Sequence, residues 1–309
     1  MKILIVCSHR YYAPYTDYVA PFIYEQMQGL KALGCEFRIC FVKGGGVKSY
    51  INAWKEIRKA IKEYQPNLIH AHYGLCCLLA NLQRRVPVVS TYHGSDINDK
   101  GVRILSKIAI NLSLKNIFVS KPLWEIAGCP KRSIVLPCGV DTSLFYHRNK
   151  QKARLLLGWK PDGKYVLFSK MFNDPVKNYP LAKAAVDHIN GAELIEFVGY
   201  TREESALLYN ASDAVIMTSL TEGSPQFIKE ALACQVPIIS VRVGDVPRLI
   251  EGVNNCYLCD YNVITLFQSL QIVLNGDKIT NGNERIHCLG LDNNTIIEKL
   301  MEIYAEVVD

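Results

Sequence analysis

The residues with the most evident chemistry lie in one stretch of the chain, 218–250. Glu222 lies in a polar turn and Glu230 in the helix predicted to follow it, so the two carboxylates can meet different parts of one ligand. Carboxylates accept hydrogen bonds from sugar hydroxyls. Ser224 and Pro225 predict the start of that helix, because serine caps free amides and proline suits the first helical position. The amides there, with the helix dipole, favour a bound phosphate.

The elements that must position these residues follow an α/β pattern. Short apolar runs that suit buried parallel strands alternate with longer segments of helical period. Strands are predicted near 2–7, 36–42, 67–71, 87–92, 116–119, 133–136, 165–169, 193–198, 213–218, 237–241 and 256–259. Helices are predicted near 19–33, 49–64, 101–114, 121–127, 179–189, 202–210, 225–234 and 263–274, with a last helix near 294–307.

The polar and charged segment 140–164 indicates a boundary between two domains. We therefore predict an α/β protein of two Rossmann-like, doubly wound domains that face each other across a cleft. Residues 1–145 form the first domain, 146–295 the second, and 296–309 the last helix. Ligands of such sheets bind outside the carboxyl ends of the strands, which places the expected active site in the cleft.

Charge is unevenly distributed along the chain. Residues 1–145 carry 19 Lys and Arg against 9 Asp and Glu, whereas the remainder carries 16 against 20. A basic half can hold nucleic acid, anionic lipid or a phosphorylated substrate. Without a recognition motif, nucleic acid is not expected as a partner. Helix 49–64 is interpreted as a core-facing helix with a solvated basic face, or alternatively as a helix near anionic lipid.

The eleven cysteines are an odd number and fit reduced thiols better than a disulfide framework. Those within apolar runs are Cys7, Cys40, Cys76, Cys77 and Cys234. Cys256 and Cys259 have half of a zinc-site spacing, but without a second pair they are expected to be ordinary strand residues. The sequence shows neither a signal-peptide pattern nor an apolar run of about 20 residues. We expect a cytoplasmic protein, with a peripheral position at the inner face of the membrane as an extension of that expectation.

The segment EGSPQFIKE, followed by ALACQVPIIS and GDVP, resembles the signature of glycosyltransferase family 4, the retaining GT-B enzymes. Composition alone would favour a solvent-facing helix that carries two of the chain's many acidic residues. The complete motif, however, aligns with the family signature along its length. Further matching segments occur in the family's order: IHAHYG (69–74), TYHGSD (91–96), IFVSKPL (117–123), LPCGVDTSLF (136–145) and FVGYTREE (197–204). The resemblance also implies that the last helix crosses back to the first domain.

The resemblance implies roles for the residues of the motif. Glu230 would hold the ribose of a nucleotide-sugar donor, and Glu222 would hold a hydroxyl of the transferred sugar. Gly223, Ser224 and Pro225 would present backbone amides to the sugar and the phosphates. The donor would be a UDP-sugar or a GDP-sugar.

Three histidines lie near two strand ends of the first domain. His93, in TYHGSD, matches the family's active-site histidine, which faces the donor sugar near its hydroxymethyl group and the reacting centre. His70 and His72 are expected to point to opposite faces of their strand and to bind no metal. Asp96 is expected to cap a helix.

A diphosphate leaving group requires a fixed cation. Lys177, in FNDPVKNYP, matches the family's phosphate-binding lysine. The arginine that usually precedes it is missing, and Lys170 is a candidate substitute that lacks the bidentate fork of arginine. The family's glycine pair after the first strand is also missing; Arg10 stands there instead and is a candidate for acceptor or phosphate binding.

The implied reaction is a same-face substitution without a metal or other cofactor. The sugar–phosphate bond loosens, an acceptor hydroxyl attacks from the same side, and the departing phosphate takes the proton. The acceptor would be a saccharide or lipid-linked, in the synthesis of a cell-surface polysaccharide or glycolipid. Two alternatives are a sugar-nucleotide epimerase and a non-catalytic nucleotide-sugar-binding protein of the same fold.

Overall fold

The computed structural model describes residues 1–9, 19–43, 47–276 and 279–308. The chain forms two compact units, one of Met1–Gly139 with Asn293–Asp309 and the other of Val140–Asp292. The segment 140–164, where the sequence places the domain boundary, lies inside the second unit and contains a helix. Each unit is a parallel sheet with helices packed on it, so the predicted α/β class is confirmed.

The first unit is built on a six-stranded parallel sheet in the order β2-β1-β3-β4-β5-β6. Its strands are β1 (Lys2–Ser8), β2 (Glu36–Val42), β3 (Leu68–His72), β4 (Val88–Tyr92), β5 (Lys115–Phe118) and β6 (Ser133–Val135). Strands β3 and β4 are buried along their whole length. Their near-continuous apolar character is typical of strands covered on both faces.

Seven helices are described around this sheet. They are α1 (Pro21–Ala32), α2 (Val47–Tyr64), α3 (Gly74–Asn81), α4 (Ser95–Asn98), α5 (Lys100–Leu112), α6 (Lys121–Ile126) and the last helix of the chain, α14 (Asn293–Val308). The sequence did not predict α3 or α4. Helix α3 reads GLCCLLAN and is buried almost throughout, so it lacks the polar face that would produce a helical period.

The last helix, α14, is part of the first unit. It buries an apolar stripe that shares a hydrophobic cluster with α1 and the sheet. The contact with α1 is close at Gly29, where a Cβ atom would lie 1.9 Å from Cδ1 of Ile297. A side chain at Gly29 would therefore force α14 or the Ile297 side chain to move.

The second unit has a five-stranded parallel sheet in the order β11-β10-β9-β7-β8. Its strands are β7 (Lys164–Phe168), β8 (Ala192–Ile195), β9 (Ala214–Met217), β10 (Ile238–Val241) and β11 (Cys256–Cys259). Its helices are α7 (Lys150–Leu157), α8 (Tyr179–Asp187), α9 (Arg202–Ala211), α10 (Gln226–Ala233), α11 (Val246–Ile250), α12 (Val263–Asn275) and α13 (Gly282–Cys288). A 3₁₀ turn, Pro175–Lys177, precedes α8.

Both sheets reverse their strand order at one point. In the second unit the reversal lies between β7 and β9, because the chain leaves β7 toward β8 on one side and later places β9 on the other. Loops after such a pair of strands diverge and leave a crevice in which ligands bind. The loop that carries Lys170 and Lys177 follows β7, and the loop that carries Glu222 follows β9.

The thiols and the apolar segments agree with the sequence analysis. Cys7, Cys40, Cys76, Cys77 and Cys234 are buried and form no disulfide. Cys256 and Cys259 are the first and last residues of strand β11, and they form no disulfide either. Within the described ranges, every helix is too short or too polar to cross a membrane.

Candidate functional site

The loop after β9 presents the glutamate motif. Strand β9 is fully buried, and the chain emerges at residues 220–222 before it enters α10. The prediction that Ser224 caps this helix is wrong, since Pro225 is the N-cap residue and no side chain caps the helix. Pro225 has extended backbone (ψ 121°), which delays the first helical residue to Gln226. Proline also lacks an N–H group, so Pro225 cannot present the amide assigned to it.

Lys177 and Glu222 are brought into direct contact. The Nζ atom of Lys177 lies 2.5 Å from Oε1 of Glu222, and the two side chains are only 15% and 14% exposed. A charge-assisted hydrogen bond of this kind is stronger than one between neutral groups. The predicted phosphate ligand and the predicted sugar ligand therefore form one cluster, although they are far apart in sequence.

The position of Lys177 is fixed by hydrogen bonds to the chain that leaves β9. The Thr218 hydroxyl donates to the carbonyl oxygens of Lys177 (2.9 Å) and Asn178 (3.0 Å). The Leu220 amide donates to the carbonyl of Val176 at 2.8 Å. Asn178 has a positive φ of 53°, which ends the 3₁₀ turn and turns the chain into α8. These bonds hold the Lys177 loop and the Glu222 loop together before any ligand binds.

Lys170 is placed differently from Lys177. Its Nζ atom pairs with Oδ2 of Asp174 at 2.8 Å, and its side chain is 48% exposed. Burial alone would raise the pKa of Asp174, but Lys170, the Val176 amide and Lys177 together hold it below its ordinary value. Asp174 therefore feels both lysine charges, while Lys170 makes its own ion pair at the surface.

Glu230 lies in a buried cluster of its own. Its Oε1 atom is 2.8 Å from Nη1 of Arg202, and its Oε2 accepts a 2.8 Å hydrogen bond from the Tyr209 hydroxyl. Burial and the nearby Glu230 carboxylate raise the pKa of Tyr209 far above its ordinary value, so the hydroxyl stays protonated and donates. A carboxylate has about four acceptor positions. Glu230 is therefore oriented by two partners and retains capacity for further donors.

Arg202 is a site residue that the sequence analysis missed. It stands at the first position of α9, whose start is fixed by a capping box between Thr201 and Glu204. Its guanidinium also lies over the Phe145 ring, 4.5 Å from the centroid. The segment TREE indicated a helix start, but nothing local showed that its arginine would meet Glu230, which lies 28 positions further along the chain.

A turn at Gly244 and Asp245 contacts the backbone of the loop that carries Glu222. The Asp245 amide donates to the Gly223 carbonyl at 3.2 Å, and Gly244, at φ 55°, approaches so closely that a Cβ atom would lie 2.7 Å from that oxygen. Burial raises the pKa of Asp245 to about 6, while the charge of the buried Lys229 and the nearby Ser224 hydroxyl oppose the rise. The hydrogen bond from the Asp245 amide and the close approach of Gly244 fix the backbone of Gly223.

In the first unit, His93 directly follows the buried strand β4. Its backbone amide and that of Gly94 donate to the Asp96 carboxylate, at 3.1 Å and 2.8 Å to Oδ1. Asp96 thus holds the turn that presents His93, and its predicted role as a helix cap is wrong. Burial raises the pKa of Asp96 to about 6, although these amides oppose the rise. The His93 ring packs against Phe22 and Tyr73, at centroid distances of 4.9 Å and 4.7 Å.

His70 and His72 are on the same face of β3, so the prediction of opposite faces is wrong. Their ring centroids are 4.1 Å apart. Side chains in a strand alternate with a period of two, so positions i and i+2 share a face. Both rings are buried, and burial lowers the pKa of His70 to about 3 and that of His72 far below its ordinary value. Both are neutral at physiological pH.

Among residues 1–9, 19–43, 47–276 and 279–308, no group of three or more His, Cys, Asp or Glu side chains is placed to hold a metal ion. Arg10, the candidate for acceptor or phosphate binding, lies outside the described residues.

The second unit therefore presents an arrangement suited to a polyhydroxylated anion. Glu222 and Glu230 offer oriented carboxylate acceptors, Lys177 offers a preorganised cation, and the amides of Gly223 and Ser224 lie just before a helix N-terminus. Such a set can accept hydrogen bonds from hydroxyl groups and neutralise phosphate oxygens at the same time.

Two family models match the chain. "Glycosyltransferase Family 4" matches residues 38–144, and "Glycosyl transferases group 1" matches residues 174–275. These segments contain His93, Lys177, Glu222 and Glu230. Both models describe glycosyltransferases, one matching within the first unit and into the start of the second, the other within the second unit. The family resemblance predicted from the EGSPQFIKE motif is thus confirmed.

Relatives match the chain in sequence, and solved structures match it in fold. TuaC of Bacillus subtilis, a glycosyltransferase named for teichuronic acid biosynthesis, is 27% identical over 221 residues, which are 61% of this chain and 56% of TuaC. The chain thus spans just over half the length of that relative. Sucrose-phosphate synthase from Thermosynechococcus elongatus is 17% identical, with a TM-score of 0.84 over 99% of this chain and 98% of its own. Anabaena HepE, in complex with UDP-glucose, is 16% identical, with a TM-score of 0.77 over 99% and 100%. These structures confirm the predicted GT-B fold.

Proposed function

We propose that the protein is a retaining glycosyltransferase that moves a sugar from a nucleoside diphosphate donor to a saccharide or lipid-linked acceptor. The contact between Lys177 and Glu222 carries the proposal, because it joins a phosphate-neutralising cation to a sugar-binding carboxylate in one preorganised cluster. The UDP-glucose complex of HepE supports a nucleotide-sugar donor. A UDP-sugar is the first candidate, and a GDP-sugar is the second.

In the proposed complex, Glu230 binds the ribose and Glu222 binds a hydroxyl of the transferred sugar. Arg202 and Tyr209 hold the Glu230 carboxylate in one orientation. Lys177 turns from Glu222 toward the diphosphate, where it stabilises the negative charge that develops as the sugar leaves. The Gly223 and Ser224 amides bind phosphate or sugar oxygens.

The proposed reaction is a same-face substitution. The bond between the sugar's anomeric carbon and the phosphate oxygen breaks, the acceptor oxygen bonds to that carbon from the same side, and the departing phosphate takes the acceptor's proton. Glu222 pairs with Lys177 and Glu230 pairs with Arg202, and we propose that neither acts as the nucleophile or acid of a retaining glycosidase. We assign His93 to the donor sugar near the reacting centre, and we propose that no metal takes part.

The process served by this transfer is also part of the proposal. TuaC is named for teichuronic acid biosynthesis, and it shares 27% of aligned residues with this chain. Together with the basic first half of the chain, this favours an acceptor in the synthesis of a cell-surface polysaccharide or glycolipid, at the cytoplasmic side of a membrane.

The function is tested with a panel of UDP- and GDP-sugars. The purified protein is incubated with each donor, with and without a membrane extract as acceptor, and the released nucleoside diphosphate is measured by mass spectrometry. We expect turnover of one donor by the wild type and at least about a 100-fold loss in Glu230→Ala, because the ribose ligand is removed. Since Arg202 loses its partner in that variant, Glu230→Gln and the melting temperature of each protein serve as controls.

Each other outcome rejects the proposal in a defined way. Donor binding without turnover, with every donor and with extract present, indicates a non-catalytic binding protein. Conversion of the donor to another nucleotide sugar without release of the diphosphate indicates an epimerase. Unchanged turnover in a Glu230→Ala variant that keeps the wild-type melting temperature contradicts the role assigned to Glu230.

Helix α5 is the surface that we propose for contact with an anionic membrane. Its exposed side carries Ile104 (66% exposed), Ile108 (46%) and Leu105 (38%) beside the exposed lysines Lys100 and Lys107. Residues 100–112 contain no Asp or Glu. An apolar stripe flanked by cations suits the boundary between lipid headgroups and acyl chains.

Helix α2, which the sequence offered for this role, is less suited. It buries Ala53, Ile57 and Ala60 against the sheet, and its lysines face solvent. The interpretation of 49–64 as a core-facing helix with a solvated basic face therefore agrees with the structure. Its apolar stripe is already used in packing, so it has less apolar surface to offer a bilayer.

The membrane proposal predicts that Ile104→Glu/Ile108→Glu lowers binding to phosphatidylglycerol vesicles at least about tenfold in a sedimentation assay, because each isoleucine contributes apolar burial. The matched control is Leu155→Glu/Leu156→Glu on α7, where two leucines are 80% and 71% exposed. The proposal is rejected if the two double variants bind alike, or if the wild type binds phosphatidylcholine vesicles equally well.

A further inference from the structure

The ring of His93 is hydrogen-bonded to a second histidine. Nδ1 of His72 lies 3.1 Å from Nε2 of His93. The ring planes differ by 24° and the centroids are 5.3 Å apart, so the two rings are nearly coplanar and meet edge to edge. This is the geometry of a hydrogen bond in the plane of both rings, with one nitrogen donating and the other accepting.

The His72 ring is also in contact with the ring of His70, with centroids 4.1 Å apart. His70 is fixed at both nitrogens, since Nδ1 is 2.6 Å from the Tyr304 hydroxyl and Nε2 is 2.7 Å from Oγ1 of Thr91. Strands β3 and β4 and helix α14 thus supply a chain of contacts that restrains the His72 ring and, through it, His93.

The remaining nitrogen of His72 decides which ring donates. His72 is 1% exposed, and its Nε2 atom has no hydrogen-bond partner among the described residues. A proton on Nε2 would be a buried donor without an acceptor, which is destabilising. Buried N–H groups without a partner are rarer than under-used acceptors. The proton of the neutral His72 ring is therefore placed on Nδ1.

We propose that His72 is a positioning residue for His93, and that its Nδ1–H donates to Nε2 of His93. A neutral His93 then carries its own proton on Nδ1. The inference rests on the proposed function, in which His93 faces the donor sugar. It adds that His93 offers this sugar an N–H donor at Nδ1, in a ring orientation set by His72.

The tautomers are measured directly by ¹⁵N-detected histidine NMR on the full-length wild type, with His72→Asn and His93→Asn used to assign the signals. We expect both His72 and His93 in the Nδ1–H form. The Nε2–H form on both rings would overturn the inference. This readout does not require activity, so it stands apart from any failure of the proposed function.

Kinetic variants test the positioning role. An asparagine amide reaches about the place of Nδ1, whereas a glutamine amide reaches about that of Nε2. With the donor found in the panel, we expect His72→Asn to keep kcat within about threefold, and His72→Gln to lose about 10- to 100-fold with little change in the donor KM. Equal losses in two variants with wild-type melting temperatures, or no loss in His72→Gln, would contradict the role.

Discussion

Replacing Lys177 with methionine is expected to lower kcat for nucleoside diphosphate release by about 10²- to 10³-fold. A fixed cation that stabilises a developing anion contributes about 3–4 kcal/mol to the transition state. Lys177 is held in place by the Thr218 bonds to its loop, so methionine removes the charge and leaves the loop intact. Single-turnover measurement of diphosphate release separates the chemical step from product release.

Lys170→Met is the matched control for this experiment. It removes the same charge from the same loop region, but Lys170 is about half exposed and pairs with Asp174 at the surface. Surface pairs of this kind contribute about 0–1 kcal/mol. We expect kcat within about threefold of the wild type. A loss as large as that in Lys177→Met would instead show that Lys170 takes the part of the family's missing arginine.

Asp213→Ala is expected to lower the free energy of unfolding of the second unit by about 3–5 kcal/mol. Asp213 is 1% exposed and accepts from Nη2 of Arg154 at 2.8 Å and from the Tyr165 amide at 2.9 Å. Lys150 also pairs with it, at 3.1 Å. Its removal leaves the buried Arg154 guanidinium without a counter-charge, and an uncompensated buried charge is strongly destabilising.

Urea unfolding measures this effect. Of the three tryptophans, Trp159 alone belongs to the second unit, so Trp159 fluorescence in a Trp54→Phe/Trp124→Phe background reports on that unit. Asp187→Ala is the control, since its pair with Lys183 is 54% exposed on the aspartate side and exposed ion pairs contribute little to stability. Similar losses in the two variants would show that Asp213 does not act through its buried ion pair.

The predicted elements correspond closely to the structure where the sequence has a clear period. Strand β2 was predicted at 36–42 and observed at Glu36–Val42, and strand β11 was predicted at 256–259 and observed at Cys256–Cys259. The elements that were missed have no such period. Helix α3 is apolar on all sides, and α7 lies in a charged segment where only the Asn149 cap marks its start.

The candidate site was predicted as a set of residues, but not as a set of contacts. His93, Glu222, Glu230 and Lys177 came from motifs, each of which is local in sequence. Arg202 was overlooked because its partner lies on another helix. The sequence shows which side chains follow a strand, whereas only the register of neighbouring strands decides which of them meet.

The sequence by itself determined the α/β class, most strands and helices and the family, because these depend on hydrophobic periodicity and on motifs that are contiguous along the chain. Only the tertiary structure decided that Lys177 pairs with Glu222, that Arg202 and Tyr209 orient Glu230, and that His72 supports His93. These contacts join loops, helices and strands that are distant along the chain, and the order and register of the sheets bring them together. A linear pattern contains no information on such distances until the sheets have formed.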